Sequence, residues 1–322
     1  MTRITTFTAA CSAAALFATG ALAAEPLKAS VGGYMHIGAG VVDDATSADD
    51  AKFGVIRDGE IHFKFKGTSD NGLTFDGRVE LEAFTSSSDQ IDENWARVSG
   101  TFGAIMIGGN DQVKTEMAAG VLYAPGTKIG YYDDDVLQGL SGTLDGTGDD
   151  MGIHYQSPSF YGFSAGASYI PDVNTDGAND GQFSGDGDSA YALAMRYDGG
   201  YGDVTYAAAG GWINIDTATG SQDTFSFGGE GTYSGFTLAA YWEQNFDETN
   251  DYTLGVAYKT GPWTFAGGYA LTEKDAAPDT DTFAGWATYA LAPGVSTSAG
   301  VAHADNGDTT GYSALAWMSL NF

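Results

Sequence analysis

Apolar and polar residues alternate with a period of two through most of the chain. In the segment 52–67, for example, Ile61 and Phe63 fall on one face, and His62 and Lys64 fall on the other. Such alternation predicts β-strands that have one apolar face and one polar face. The chain is therefore expected to be an all-β protein.

The alternation recurs in sixteen segments that are separated by turns and loops. The strands are expected near residues 28–40, 52–67, 73–82, 93–101, 103–109, 151–158, 162–170, 189–198, 202–212, 223–233, 235–245, 251–259, 262–271, 282–291, 294–303 and 310–322. No window of eighteen apolar residues follows residue 24, so the sequence predicts no transmembrane helix. Alternating strands of about 9–11 residues can nonetheless cross a bilayer as a closed barrel.

The connections between the expected strands are of two alternating kinds. One kind is short, such as the Asn-Gly turn within 68–72, and the other is longer and acidic, as in 41–51 and 171–188. Short turns at one end and long loops at the other indicate an up-and-down meander of hairpins. A β-sandwich with Greek-key connections would mix the two kinds less regularly. The sequence thus predicts a 16-stranded antiparallel up-and-down transmembrane β-barrel.

The longest connection, residues 110–150, lies between the fifth and sixth expected strands. A loop of this length inside a compact domain is usually functional. We expect this third long loop to fold into the lumen of the barrel and to narrow it. Its acids are the candidate constriction residues: Asp111, Glu116, Asp133, Asp134, Asp135, Asp145, Asp149 and Asp150.

The first residues of the chain have the pattern of an export signal. Arg3 supplies the positive charge, residues 7–22 are apolar or small, and Ala21-Leu22-Ala23 is a small-residue cleavage site. Cleavage after residue 24 also fits the pattern. We therefore expect a removed signal peptide at 1–23 and a barrel domain at 24–322.

Charge and composition restrict the partners of the mature chain. Without Arg3 it carries 12 basic and 42 acidic residues, a net charge of −30. It has no basic stripe that could release counterions from nucleic acid, so no nucleic-acid partner is expected. Its single cysteine, Cys11, lies in the expected signal peptide, so neither disulfides nor thiol chemistry are expected.

Sequence patterns for catalysis are weak. Gly162–Gly166 matches a nucleophile-elbow pattern, but that motif needs a helix after the turn, and strand residues follow here. The four histidines show no metal-ligand spacing, and we interpret those on the expected lumen face as solvated side chains. They are His36, His62, His154 and His303. We expect no enzymatic activity.

One external loop matches the start of a calcium-binding loop. Asp172, Asn174, Asp176 and Asp180 supply oxygens at positions one, three, five and nine, with a glycine at position six. Position twelve is a phenylalanine where such loops have a bidentate glutamate. Calcium bound by these four residues is one expectation, and a plain acidic loop is the other. Divalent cations near the long acidic loop could also bridge it to lipopolysaccharide.

Four stretches of the chain resemble a known family. Residues 63–75, 98–108 and 153–164 are hairpins around short turns, and the last strand alternates up to an aromatic end in Met318–Phe322. In this order, and with the long loop between the fifth and sixth strands, they are similar to general bacterial porins of the alphaproteobacterial type. The resemblance implies a homotrimer in the outer membrane of a Gram-negative bacterium.

The resemblance also implies that acids on the third loop face a row of bases on the opposite wall of the lumen. The candidate wall bases are Arg57, Lys64, Arg78 and Arg97. Alternation places Lys64 and Arg78 inward, Arg97 is inward if its neighbours face lipid, and Arg57 is expected inward if no bulge intervenes. Because the mature chain has few bases, we expect a pore that prefers cations.

The resulting hypothesis is passive diffusion of small hydrophilic solutes and ions, with no required cofactor. Expected partners are outer-membrane lipid, lipopolysaccharide and the barrel assembly machinery. Tyr155, Phe236, Trp242 and Trp263 are candidates for aromatic residues at the membrane interfaces. Two alternatives stay open: a substrate-specific channel on the same barrel, and a secreted calcium-binding β-sandwich protein.

Overall fold

The strands form one closed antiparallel sheet in the structure, a computed structural model that describes residues 24–43, 51–84, 90–121, 146–173, 188–217, 220–246, 249–274, 278–305, 307 and 310–322. The sixteen strands are β1 (Glu25–Asp43), β2 (Lys52–Thr68), β3 (Thr74–Glu82), β4 (Ile91–Gly100), β5 (Gly103–Gly109), β6 (Met151–Gln156), β7 (Phe163–Ile170), β8 (Ser189–Tyr201), β9 (Val204–Thr217), β10 (Gly220–Tyr233), β11 (Phe236–Gln244), β12 (Asn250–Thr260), β13 (Trp263–Glu273), β14 (Thr280–Ala292), β15 (Val295–Asp305) and β16 (Thr310–Asn321). The predicted all-β, 16-stranded antiparallel up-and-down barrel is confirmed, and the alternative of a β-sandwich is wrong because the sheet closes on itself.

The barrel closes where the first strand pairs with the last. Ile37 of β1 lies opposite Met318 of β16 in the antiparallel register. Beyond the end of β16, Gly33 N donates to Phe322 O at 3.0 Å and Phe322 N donates to Gly33 O at 3.1 Å. Every strand is thus hydrogen-bonded on both sides, as backbone groups in a bilayer require. The expected signal peptide, 1–23, lies outside the described residues.

The two faces of the sheet differ in chemistry, as alternation predicts. Large apolar side chains such as Phe63, Ile107, Leu193 and Val256 are exposed on the outer face. Polar and small residues occupy the alternate positions on the inner face. An apolar outside and a polar inside are typical of a barrel that stands in lipid and encloses water.

Tight turns join the strands at one end of the barrel. Ser234 and Gly235 have φ angles of 50° and 86°, between paired residues Tyr233 and Phe236. Two consecutive positive φ angles are the geometry of a type I′ turn, whose twist matches that of the flanking strands. At the other end lie the longer connections, so the predicted asymmetry of loop lengths is present.

The four candidate aromatic residues all lie on the outer face near strand ends. Tyr155, Phe236 and Trp263 are exposed close to the tight turns. Trp242 lies near the opposite end, where its Nε1 donates to Asn250 Oδ1 at 3.2 Å. In the described residues, no helix is long and apolar enough to cross a bilayer.

Candidate functional site

The third long connection leaves the barrel wall early, because the strands on either side of it are short. β5 and β6 contain seven and six residues, whereas β1 contains nineteen. Residues 110–121 and 146–150 of this connection are described, and 122–145 lie outside the described residues. We call 110–121 the loop stem.

The loop stem forms one helical turn, α1 (Val113–Glu116). Gln112 caps this turn, because its side chain accepts a hydrogen bond from Lys114 N at 2.6 Å. Val113 N donates to Ser168 Oγ of β7 at 2.9 Å. Since Ser168 is on the inner face of β7, this bond attaches the stem to the lumen wall.

Apolar packing reinforces that attachment. Val113 and Met117 of the stem belong to a buried cluster on the inner face of β7–β9. The wall residues of the cluster are Ile170, Ala190, Ala192, Ala194, Ile213 and Ile215. An inner wall in contact with water would be polar, so this apolar area marks where the stem covers the wall.

Glycines on the inner wall make room for the stem. A Cβ at Gly166 would lie 2.6 Å from Met117 Sδ, and one at Gly211 would lie 2.6 Å from Lys114 Cγ. A Cβ at Gly228 would lie 2.1 Å from Ala119 O. The stem therefore follows the wall closely from β7 to β10.

Two bases attach the stem to the wall, Lys114 through an ion pair and Arg196 through a hydrogen bond. Lys114 Nζ lies 2.8 Å from Glu243 Oε2 of β11, and both side chains are fully buried. On β8, Arg196 Nη1 donates to Ala118 O at 2.6 Å, while its Nη2 lies 2.9 Å from Asp198 Oδ1. Lys114 and Arg196 are thus used for anchoring the loop.

The candidate constriction acids divide into described and undescribed positions. Glu116 is exposed at the end of α1, and Asn110 Nδ2 donates to its Oε1 at 3.3 Å. Asp111 and Asp149 are half-buried, and Asp150 is buried. The remaining acids lie outside the described residues: Asp133, Asp134, Asp135 and Asp145. Of the four described acids, Glu116 is the one that is exposed.

A network of charged residues occupies the wall opposite the stem. The stem lies on β7–β10, and in the ring of sixteen strands β1 and β2 are directly opposite β9 and β10, with β3 and β4 beside them. Arg78 of β3 lies between two acids, with Nε 2.8 Å from Glu80 Oε1 and Nη2 in contact with Glu93. Arg97 Nη2 of β4 lies 2.6 Å from Asp76 Oδ2. Both wall arginines are therefore ion-paired.

Both arginines also stack on one aromatic ring. The guanidinium carbons of Arg78 and Arg97 lie 5.6 Å and 5.2 Å from the centroid of Trp95. Trp95 Nε1 donates to Glu93 Oε2 at 3.3 Å. Cation–π contacts and hydrogen bonds of this kind fix the two arginine side chains along the wall.

The other two candidate wall bases differ in position. Lys64 pairs with Arg78 in the register of β2 and β3 and shares its inner face, where it is exposed. Arg57 pairs with Ile37, whose side chain is exposed on the outer face, and it stacks on Phe84 at 4.9 Å. The prediction that Arg57 faces the lumen is wrong, because β2 is regular between Arg57 and Lys64. Residues seven positions apart in a regular strand lie on opposite faces.

Carboxylates outnumber bases on this wall. Around Glu60, six carboxylates lie with one guanidinium, that of Arg78. The six are Asp58, Glu60, Glu80, Glu82, Asp92 and Glu93. The family resemblance implied a row of bases here. Lys64, Arg78 and Arg97 do face inward, but the carboxylates around Glu60 outnumber them.

The histidines occupy different environments. His62 lies between Glu60 and Glu80, at 2.7 Å and 3.0 Å, and His36 Nδ1 lies 3.6 Å from Asp58 Oδ2. His154 is buried, with Nδ1 2.9 Å from Ser168 Oγ, and His303 is exposed on the outer face. Each of the three inner histidines therefore contacts a protein side chain and is not simply a solvated residue of the lumen.

The candidate calcium loop is described only at its start. Asp172 is buried just after β7, whereas Asn174, Asp176 and Asp180 lie outside the described residues. Calcium binding by these residues stays a prediction.

Sequence reasoning missed the residues that anchor the loop stem. Ser168, Arg196 and Glu243 lie on three different strands and show no common spacing with Lys114. One signal was available: Gly166 and Gly211 fall at inward positions of their strands, where glycine indicates the close approach of another backbone.

Comparison with known proteins agrees with this architecture. The model of the family described as Gram-negative porin matches residues 9–309. No curated protein matches the sequence.

Solved structures share the fold at low identity. A porin refined at 1.8 Å is 21% identical, with a TM-score of 0.68 over 92% of this chain and 100% of that chain. An anion-selective porin from Comamonas acidovorans is 15% identical, with a TM-score of 0.67 over 92% and 100% of the two chains. A loop L8 deletion mutant of OmpT from Vibrio cholerae is 15% identical, with a TM-score of 0.64 over 91% and 99%.

Proposed function

Because the chain belongs to the Gram-negative porin family, we propose that it forms a cation-preferring channel for the general diffusion of small hydrophilic solutes. Porins are channels of the bacterial outer membrane and not enzymes. The proposal concerns which solutes pass. Passage is passive, limited by the width of the lumen and by the charges that line it.

The observation that supports a cation preference is the excess of carboxylates around Glu60. Its one guanidinium, Arg78, contacts both Glu80 and Glu93, so its charge is already offset. Across the lumen, the stem presents exposed Glu116, while Lys114 is buried against Glu243. The stem thus adds an exposed acid to a lumen in which the carboxylates around Glu60 outnumber Arg78 and Lys64, and this excess of negative charge attracts cations and repels anions.

Buried aromatic side chains favour general diffusion over a substrate-specific channel. A channel that guides sugars would need accessible rings along the lumen. Tyr241, Trp286 and Trp317 are on inner faces but are buried. Tyr34 and Trp95 are half-buried, and no inward aromatic residue on the described strands is exposed.

The outer surface supports a homotrimer as the working form. Bulky apolar residues cover most of the outer face, but small residues cluster in one area of β14–β16 and β1. The small residues facing outward there are Ala39, Gly285, Ala287, Ala299, Ala314 and Ala316. A smooth apolar area of this kind allows another barrel to approach closely. The rest of the outer face suits lipid, with lipopolysaccharide near the long connections.

Single-channel recording in planar bilayers under a salt gradient tests the proposal. If the channel is a trimer, we expect conductance steps in groups of three. If it prefers cations, the reversal potential should have the sign of a cation-selective channel. The Asp133→Asn, Asp134→Asn, Asp135→Asn triple variant should reduce this selectivity. An anion-selective reversal potential would contradict the preference, and the absence of conductance from folded protein would contradict the open channel.

A further inference from the structure

A histidine and two glutamates form a compact group on the inner wall. His62 Nε2 lies 2.7 Å from Glu60 Oε2 and 3.0 Å from Glu80 Oε1. The three side chains offer ligand atoms that all lie within 4.8 Å of one another. Glu60 and Glu80 are buried, at 6% and 3% exposure.

The backbone itself brings these residues together. Glu60 and His62 are two positions apart on β2 and therefore share its inner face. The register of β2 and β3 places His62 directly opposite Glu80. Directly paired side chains in an antiparallel sheet have Cβ atoms about 4.5–5.5 Å apart. The group is consequently set by strand geometry and does not depend on a loop.

The group lacks enough hydrogen-bond donors for its carboxylate oxygens. His62 Nε2 carries at most one proton, yet it faces two carboxylates. Tyr34 Oη donates to Glu60 Oε1 at 2.6 Å, which satisfies one oxygen. Glu80 Oε1 accepts no hydrogen bond within the described part of the chain, because Arg78 Nε, although 2.8 Å away, is poorly aligned. A buried oxygen left in this state is costly.

The surroundings also contain more carboxylates than bases. Glu60 belongs to a second group with Glu82 and Asp92, whose oxygens likewise lie within 4.8 Å of one another. Arg78 is shared between Glu80 and Glu93. Carboxylates this close repel one another, and a bound cation would offset that repulsion.

We propose that Glu60, His62 and Glu80 bind a divalent transition-metal ion of the zinc class on the wall of the lumen. An imidazole nitrogen with two carboxylate oxygens is a donor set that suits zinc, whereas calcium and magnesium prefer oxygen alone. Zinc holds such ligands at about 2.0–2.2 Å, so tetrahedral ligand atoms lie about 3.4 Å apart. The two separations between His62 and the carboxylate oxygens, 2.7 Å and 3.0 Å, need to open by less than 1 Å, which side-chain rotation can supply. The fourth position is left to water.

Binding would change the field inside the lumen. The ion would replace the poorly aligned contact of Arg78 with Glu80 and supply two positive charges to a wall with excess carboxylates. Because metal ions compete with protons for imidazole, the affinity should fall at acidic pH.

Equilibrium zinc binding to the intact purified protein in detergent, after removal of metals with a chelator, tests the site. We expect one site per chain that is lost or weakened at least tenfold by His62→Gln. The Glu80→Gln variant should weaken zinc binding in the same way. The matched control is His303→Gln, since His303 is exposed on the outer face and should not affect the site. Thermal unfolding of each variant reports whether the barrel is intact.

Two outcomes would overturn the site. One is equal zinc affinity in the wild type and in folded His62→Gln. The other is magnesium binding as tight as zinc binding and insensitive to His62→Gln, which would assign the ion to the carboxylates alone. Both experiments measure equilibrium binding and need no conducting channel. A negative result would therefore reject the metal site without affecting the proposed diffusion function.

Discussion

Lys114 of the loop stem and Glu243 of β11 form an ion pair of 2.8 Å in which both side chains are fully buried. They are 129 positions apart in the sequence. Tyr241 Oη donates to the same carboxylate oxygen, Glu243 Oε2. The pair therefore attaches the loop stem to a strand that is remote from it in sequence, and it sets the distance between the stem and the wall.

Glu243→Gln should destabilise the attachment of the loop strongly. The change removes the charge of the carboxylate that lies 2.8 Å from the buried Lys114 ammonium, and breaking a buried pair in this way costs about 3–5 kcal/mol. We expect earlier thermal unfolding and noisier single-channel currents, because the stem can leave the wall while the sheet stays closed.

The control for this prediction is Glu230→Gln, which removes an exposed acid from the inner face of β10. Combining Lys114→Met with Glu243→Gln should recover much of the lost stability, since no unpaired charge is then buried. Equal effects of Glu243→Gln and Glu230→Gln would show that the ion pair does not hold the loop.

Gly211→Ala should displace the stem. A Cβ at Gly211 would lie 2.6 Å from Lys114 Cγ and 3.2 Å from Lys114 Cα, so the helical turn must move. Overpacking of this kind costs roughly 1–3 kcal/mol. Thermal unfolding and single-channel conductance measure the two consequences.

The neighbouring glycine provides a matched control. A Cβ at Gly210 faces outward and would have its nearest neighbour, Ser226 O, at 3.5 Å, an ordinary contact. Gly210→Ala should therefore leave both stability and conductance unchanged. Equal changes in stability and conductance for Gly210→Ala and Gly211→Ala would contradict the claim that Gly211 makes room for the stem.

The strands could be predicted from the sequence because each one must present lipid on one side and water on the other. For this reason apolar and polar residues alternate along the strands, as around Ile61 and His62. The error at Arg57 arose from the count of positions: a regular strand puts it on the opposite face from Lys64.

The anchoring of the loop could not be predicted in the same way. Lys114 meets Glu243, and Val113 meets Ser168, only after the barrel has closed. Alternation assigns a side chain to a face, but it does not say which residue approaches across the lumen. For the same reason, the sequence did not predict that Glu60, His62 and Glu80 lie together, because this depends on the register of β2 against β3.

Arg97→Gln should increase the preference for cations. Arg97 is on the inner wall, paired with Asp76 at 2.6 Å, so its removal frees a carboxylate that faces the lumen. The reversal potential under a salt gradient should shift in the cation-selective direction.

Arg57→Gln is the matched control for that shift. It removes the same charge from the same wall of the barrel, but from the outer face, beside Phe84. We expect no change in reversal potential. A shift as large as that of Arg97→Gln would mean that the lumen charges do not determine selectivity.

Raising the salt concentration should separate the two electrostatic roles in this lumen. The Debye length falls from about 10 Å at 0.1 M salt to about 3 Å at 1 M, so exposed charges such as Glu116 lose their influence on passing ions. The buried pair of Lys114 and Glu243 is shielded from solvent and should keep the loop in place. We therefore expect cation preference to decline with salt while the unfolding temperature stays nearly constant. Selectivity that persists at 1 M would instead indicate that ions are sorted by contact or size, since a long-range field cannot act through that solution.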